Sequence, residues 1–319
     1  MKILIFGNGQ VGNLYNNYFK NNANDLVSGF ESQIAKADIT DKAQIEEVIL
    51  EFGPNVVINT AAKTNLEWCS QNKLEAFNVN VLGADNIAQV CDKRDIYFIH
   101  FSSGCIFESK NESDVKTEDS IPNPAAYYSF TKVWAEQIIQ FDKNPDFKFL
   151  ILRPRQPVSS EVNYKNMLVK FLTFTKFVDT PNTGTVLEDM LDWTAEIIKK
   201  QPIGTLNLAN EGWTTPYKIA ELLRKHVLPE LPIELITKEE LDKLTPNRRV
   251  DTILDVSKLK TIVSNVGKYE DRLEDTIRKL GENFRTLDKK LVENQLEKTL
   301  AQSRQRTVVN DVWPNLIKR

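Results

Sequence analysis

The chain has 319 residues, 41% of them apolar and 27% charged, a composition ordinary for a soluble globular protein of one large or two interlocked domains. A net charge of −3 and a pI near 5.7 argue against a polyanion-binding surface, so no nucleic-acid partner is expected. No apolar run reaches membrane-spanning length, and Ile3–Phe6 is too short, and too soon broken by glycine, for a signal peptide. Cys69, Cys91 and Cys105 are odd in number and lack metal spacing, which points to a reducing, cytoplasmic home. With only His100 and His226 besides, no metal site or serine-type triad is expected.

The first element is an apolar strand, Lys2–Phe6, followed at once by Gly7-Asn-Gly9-Gln10-Val11-Gly12. Val11, Leu14, Tyr15 and Tyr18 then recur at helical spacing. A strand, a glycine-rich turn and an amphipathic helix form the context in which this motif binds a dinucleotide. Gly7 permits the tight turn, Gly9 lets the backbone approach a pyrophosphate, and Gly12 permits close packing of helix on strand. The pyrophosphate would lie at the helix N-terminus, where Gln10 and Val11 open the first turn. The second strand is read at Leu26–Glu31. Its end carries neither a clearly placed acid for a ribose 2′-hydroxyl nor an arginine for a 2′-phosphate, and Ser28 suits either.

Asn55–Thr60 reads as a buried strand, and Phe77, Val81, Ala84, Ala88 and Cys91 mark one helical face. Ile96–Phe101, which His100 continues, and Phe147–Leu152 are the next strands. This alternation implies a parallel, doubly wound α/β sheet of Rossmann type, covered on both faces. Gly7, Thr60, Ser103 and Arg153 would gather at its carboxyl edge, where nucleotides bind. Between the last two strands, Tyr128 and Lys132 open a helix continued by Trp134, Ile138 and Phe141. They stand one turn apart on one face, and an ammonium beside a phenol lowers its pKa. Such a tyrosine is an acid–base group suited to carbonyl reduction, and the Ser103 hydroxyl could grip the same oxygen.

After Arg153 the rhythm breaks into loops at Pro154–Asn166 and Pro181–Gly184. Thr205–Leu208 is a late strand, and Ile219, Leu222, Leu223 and His226 follow at helical spacing. Residues 1–155 therefore form the dinucleotide-binding domain, with a returning segment near 185–210. Residues 156–184 and 211–280 form a smaller α/β substrate lobe. Residues 281–319 are a charged, helical extension with Phe284, Leu287 and Leu291 on one face. It packs on its own subunit, pairs with another, or moves freely; the sequence leaves all three open.

The chain resembles the extended short-chain dehydrogenase/reductases of the dTDP-4-dehydrorhamnose reductase group. Within that group it is most similar to the bifunctional nucleotide-4-keto-6-deoxyglucose 3,5-epimerase/4-reductases. The likeness spans about residues 2–260 and is densest at Asn65–Cys69, Asn78–Gly83, Ser103–Glu108, Tyr128–Lys132, Leu152–Ser160 and Asp255–Leu259. Gly104-Cys105-Ile106-Phe107 and the Arg153-x-Arg155-x-Pro157-x-Ser159-Ser160 pattern mark the bifunctional branch. The glycine turn departs from the group, being one residue shorter than its usual Gly-x-x-Gly-x-x-Gly.

The resemblance implies reduction at C4 of a nucleotide-diphosphate 4-keto-6-deoxy sugar, with epimerisation at C3, or at C3 and C5, beforehand. Tyr128 would donate the proton, Lys132 would tune it and hold the nicotinamide ribose, and Ser103 would orient the carbonyl. Cys105 and Lys170 would form the epimerising pair. Residue by residue, Cys105 also reads as a small apolar filler, and Lys170 as a solvated helix residue. The cofactor implied is NADPH, with NADH as the alternative. Its contacts would be Gly7, Gly9, Gln10, Val11, Gly12, Ser28, Asp38, Ile39, Thr60, Ala61, Ala62, Lys63, Asn80, Tyr128, Lys132 and Arg153. Substrate contacts would be Lys63, Ser103, Gly104, Cys105, Arg155 and Arg249. A homodimer is compatible with the group. The competing readings are a reductase without epimerase activity and a non-catalytic nucleotide-binding regulatory subunit of the same fold.

Overall fold

The computed structural model describes residues 1–21, 24–141, 143–303 and Leu316. Strands β1 (Lys2–Phe6), β2 (Glu31–Ile34), β3 (Val56–Asn59), β4 (Tyr97–Phe101), β5 (Phe149–Pro154) and β6 (Gly204–Leu208) form one sheet in the order 2-1-3-4-5-6. Every pairing is parallel. Successive side chains of a strand face opposite sides. Ile3, Ile5, Val56 and Ile58 accordingly pack with Tyr15, Phe19, Trp193 and Ile197, from helices Gln10–Phe19 and Leu187–Lys200. Leu4, Phe6, Val57 and Phe98 point the other way, to helices Lys42–Phe52, Gly83–Lys93 and Tyr127–Gln140. Because both faces are covered, the strands read as continuous apolar runs, which is why they were legible.

The chain leaves β1 toward β2 on one side and returns to β3 on the other, so the strand order reverses between β1 and β3. Such a reversal opens a crevice at the carboxyl edge. Gly7 turns there with φ +105°, and a Cβ on Gly12 would lie 1.9 Å from the Gly7 carbonyl oxygen. The tight turn and the close helix packing thus both require glycine.

The second strand starts later than expected. Asp25–Val27 form a 3-10 turn, and β2 begins at Glu31. Asn24 accepts the Leu26 amide, a cap that competes with extended pairing. The Met1 ammonium donates to Gly29 O at 2.7 Å, which fixes Ser28–Gly29 at the amino edge of the sheet.

The smaller lobe has its own core, in which Leu168, Phe177, Leu223, Leu273, Ile277 and Leu296 meet. Two expected boundaries move. Ile253–Leu254 pair with Val115–Lys116, and Leu254, Val256, Leu259 and Val263 join the sheet's core, so this stretch belongs with the larger domain. Position 281 is no boundary: it lies inside helix Tyr269–Thr286, where a Cβ on Gly281 would meet His226 O at 2.6 Å. The next helix, Lys289–Ser303, packs on its own subunit: Gln295 Oε1 accepts the Tyr164 amide at 3.0 Å. Residues 304–315 and 317–319 of the expected extension lie outside the described residues.

Helix Tyr127–Gln140 is tied to the sheet by a buried ion pair. Arg153, on β5, donates Nε and Nη2 to the two oxygens of Glu136 at 3.0 and 2.6 Å, and Ser102 Oγ donates to the same carboxylate. Both charged side chains are about 95% buried, being 6% and 5% exposed. Removing one partner of such a pair leaves the other's charge stranded. Arg153→Met should therefore cost about 3–5 kcal/mol of stability in urea unfolding. A loss below about 1 kcal/mol would mean the pair does not anchor the helix.

Candidate active site

At the reversal between β1 and β3 lies a cleft of about 1310 Å³, whose lining includes Gly7, Asn8, Asp38, Ile39, Ala61 and Lys63. Gly9 has extended backbone, φ −75°, and a Cβ there would meet nothing within 4 Å, so its side faces open space. Gln10 starts the helix with its Nε2 buried and unpartnered, and Val11 packs inward against the core. Thr60 Oγ1 donates to Phe6 O at 3.0 Å and braces the glycine turn. The Ala61 amide donates to Asn59 Oδ1 at 3.0 Å, and Ala62 follows in the same loop. Asp38 accepts from the Thr40 amide and hydroxyl, and these bonds hold its carboxyl below the usual range. An open glycine turn at a helix N-terminus, an orphaned amide and a long cleft fit a dinucleotide.

The second cluster sits beyond the carboxyl end of β4. Tyr128 is buried against Cys69 and Ala76, with Trp68 and Cys105 packed alongside. Burial raises its pKa above the ordinary tyrosine value; Cys105 adds to the rise, and a hydrogen bond from Ser103 offsets part of it. Ser103 Oγ also accepts the Cys105 amide at 3.1 Å, which presents Cys105 from a short 3-10 turn beside Gly104. Lys132 is buried, and its Nζ donates to Phe101 O at 2.8 Å. Burial lowers its pKa to about 8, with Glu136 one turn away pulling upward. The expectation that Lys132 tunes Tyr128 is thus corrected: the ammonium is turned toward the strand, and the phenol's neighbours are Cys105, Ser103 and Cys69.

Four other expected contacts lie away from the cleft or hold protein partners. Ser28 lies at the amino edge, away from the cleft. Arg153 is occupied by Glu136, by Glu118 O at 2.9 Å and by the face of Phe107, so it anchors the helix. Asn80, 1% exposed, accepts the Lys63 amide and donates to Lys63 O and Thr131 Oγ1. It therefore clamps the cleft wall to the helix of Tyr128. Arg249 bonds Glu67, which closes the smaller lobe onto helix Leu66–Gln71.

Lys63 lines the cleft, paired with Glu75 at 2.9 Å and lying over the Trp68 ring. Arg155 reaches Cys105, its Nη1 donating to Sγ at 2.9 Å. Lys170 stands half-buried on the short helix Met167–Phe171 of the smaller lobe. Sequence reasoning missed Lys36, which follows β2 and lines the cleft, because the strand was placed too early. It also missed Glu136, whose only signal was its one-turn spacing from Lys132. Among the described residues, no group of three or more His, Cys, Asp or Glu is placed to hold a metal.

The family model described as "RmlD substrate binding domain" matches residues 1–282. The chain is 30% identical over 233 residues to a bifunctional dTDP-4-dehydrorhamnose 3,5-epimerase/dTDP-4-dehydrorhamnose reductase of Arabidopsis thaliana, covering 70% of this chain and 76% of that protein. It is 30% identical over 271 residues to a trifunctional UDP-glucose 4,6-dehydratase/UDP-4-keto-6-deoxy-D-glucose 3,5-epimerase/UDP-4-keto-L-rhamnose-reductase of the same plant. That match takes in 82% of this chain and only 39% of the relative's length. Among solved structures, a UDP-rhamnose synthase from Acanthamoeba polyphaga mimivirus superposes with a TM-score of 0.80 at 25% identity, covering 88% of this chain and 99% of that one. The glycine turn, the Tyr128–Lys132 helix and these likenesses agree, and the chain belongs to the RmlD-like family of the dTDP-4-dehydrorhamnose reductase group.

Proposed function

We propose that the protein reduces the C4 ketone of a nucleotide-linked 4-keto-6-deoxyhexose with NADPH, and that it first epimerises the sugar beside that ketone. The observation that carries this reading is the convergence of Tyr128, Ser103 and Cys105 on one point beyond β4. Asn80 joins the wall of the dinucleotide cleft to the same helix. When bound, the nicotinamide supplies the hydride. Gly7, Gly9, Gln10 and Gly12 would hold the pyrophosphate, with Asp38 and Ile39 beside the adenine. Lys36, at the carboxyl end of β2, suits a ribose 2′-phosphate and so favours NADPH over NADH.

Tyr128 arrives protonated, because burial raises its pKa, and a protonated phenol is what a C4 alkoxide needs. Ser103 donates to the same oxygen and positions it. Lys132 steadies the strand end through Phe101 O, and its remaining protons would be available to a nicotinamide ribose. Cys105 would take a proton from a carbon next to the ketone, and Lys170 would return one to the opposite face.

Tyr128→Phe keeps the ring and deletes the proton. Turnover should fall by about two to four orders of magnitude, the usual size of a general-acid contribution, with dinucleotide affinity nearly unchanged. Parent-rate oxidation of NADPH by this variant with its sugar substrate would refute the assignment.

The pH dependence follows from Lys132. With its pKa lowered to about 8, it holds its charge below that pH and loses it above. The kcat/KM profile, which reports the free enzyme, should decline above about pH 8. A profile flat to pH 10 would take Lys132 out of the machinery.

Epimerisation is read separately. In D₂O with the 4-keto sugar nucleotide and no reduced cofactor, deuterium should enter C3, and C5 if both centres invert. Cys105→Ser should suppress that exchange by at least tenfold, since a serine hydroxyl does not ionise to a base under conditions where a thiol can. Reduction by the parent enzyme with no solvent deuterium in the ring would leave a plain 4-ketoreductase.

A further inference from the structure

Arg155 is 4% exposed, yet among the described residues no carboxylate pairs with it. Its Nη2 donates to Asn182 Oδ1 and to Val250 O, each at 2.5 Å, and its Nε is buried without a partner. Both of those acceptors are neutral. The nearest carboxylate of that network, Asp251, is turned to Asn182 Nδ2 and to Lys238 Nζ, each at 2.8 Å. Of the groups that hydrogen-bond the guanidinium, Cys105 alone can become an anion, and its Sγ accepts from Nη1 at 2.9 Å; the nearby Tyr269 phenol, which also feels the arginine's charge, is kept protonated by burial. A guanidinium does not surrender its proton in a protein, and a buried cation without a counter-ion is costly. The cheapest remedy is a negative charge on sulfur, in a charge-assisted bond.

We propose that Arg155 and Cys105 form a guanidinium–thiolate pair, with Arg155 the positioning residue that charges and aims the sulfur. This rests on the reading of Cys105 as the epimerising base. In that step the C–H bond beside the ketone breaks and an S–H bond forms. The electron pair moves into an enolate whose oxygen is the former C4 carbonyl oxygen, held by Tyr128 and Ser103. The aim is fixed from several sides. The Arg155 amide donates to Thr185 Oγ1 at 3.0 Å, and Asn182 also accepts the Thr252 amide at 3.1 Å. A Cβ on Gly104 would lie 3.2 Å from the Arg155 Cβ, so the backbone before Cys105 is pressed against the arginine's stem.

The test is the rate at which iodoacetamide alkylates Cys105, followed by peptide mass spectrometry in the intact protein. Cys69 and Cys91 are fully buried, whereas Cys105 is partly open. A thiolate reacts and a thiol does not, and an ordinary cysteine near pKa 8.5 speeds up roughly thirtyfold between pH 7 and pH 10. In the wild type the rate should change less than about threefold over that range. In Arg155→Met the rate at pH 7 should fall at least tenfold and rejoin the wild type at pH 10, with Arg155→Lys recovering part of the loss. A thirtyfold rise in the wild type overturns the pair, whether or not the variants fold; so does an Arg155→Met curve that matches a flat wild-type one. If the alkylation results hold but wild-type enzyme admits no solvent deuterium to the sugar, the pair stands and the epimerase reading fails.

Discussion

The site depends on how helix Tyr127–Gln140 is held to the ends of β4 and β5. Lys132 reaches Phe101 O, and Glu136, one turn on, takes Ser102, the residue after β4, and both guanidinium donors of Arg153 from β5. These contacts are buried, so water does not compete for them, and each has a fixed direction. They set the turn of the helix that carries Tyr128 toward Ser103. The Asn80 clamp adds the wall of the dinucleotide cleft, from a π-helical turn at Asn78–Leu82. One helix therefore keeps three parts in register: strand ends, cleft and phenol.

The electrostatics follow from burial. The same desolvation that keeps Tyr128 protonated makes Lys132 a weaker base, because each loses its charged form when taken from water. The sign matters for stability. Between about pH 8 and the ordinary lysine value of 10.5, the folded protein binds fewer protons at Lys132 than the unfolded chain does. Raising the pH through that window relieves the cost of the buried ammonium, while lowering it below 8 leaves the cost in full. The cost falls on the lysine one turn from Tyr128, the residue that the proposed reaction would use as a cation.

Much of this was legible in the chain. Strands covered on both faces read as apolar runs, and Gly7 and Gly12 stand where backbone geometry admits no side chain. Tyr128 and Lys132 announced a helix start by spacing alone. What was hidden depends on distant partners. Arg153 looked like a ligand contact because nothing local says that Glu136, 17 residues earlier, occupies it. Asn80 looked the same, since its partners Lys63 and Thr131 flank it far along the chain. The second strand was placed early because Leu26 and Val27 are apolar, although Asn24 caps a turn there. That shift hid Lys36. The smaller lobe's two-residue and three-residue strands are too short for periodicity to register.

The central claim is that a dinucleotide in the β1–β3 cleft and a sugar beside Tyr128 meet within one site. Reduction with NADPH carrying deuterium at the transferable position of its nicotinamide ring tests this directly, with a nucleotide-linked 4-keto-6-deoxy sugar as acceptor in ordinary water. The account predicts one deuterium at C4 of the product, seen by mass spectrometry and proton NMR, and a matching loss of absorbance from the reduced cofactor. Product with only hydrogen at C4, or no oxidation of NADPH across a panel of uridine- and thymidine-linked substrates, would contradict it.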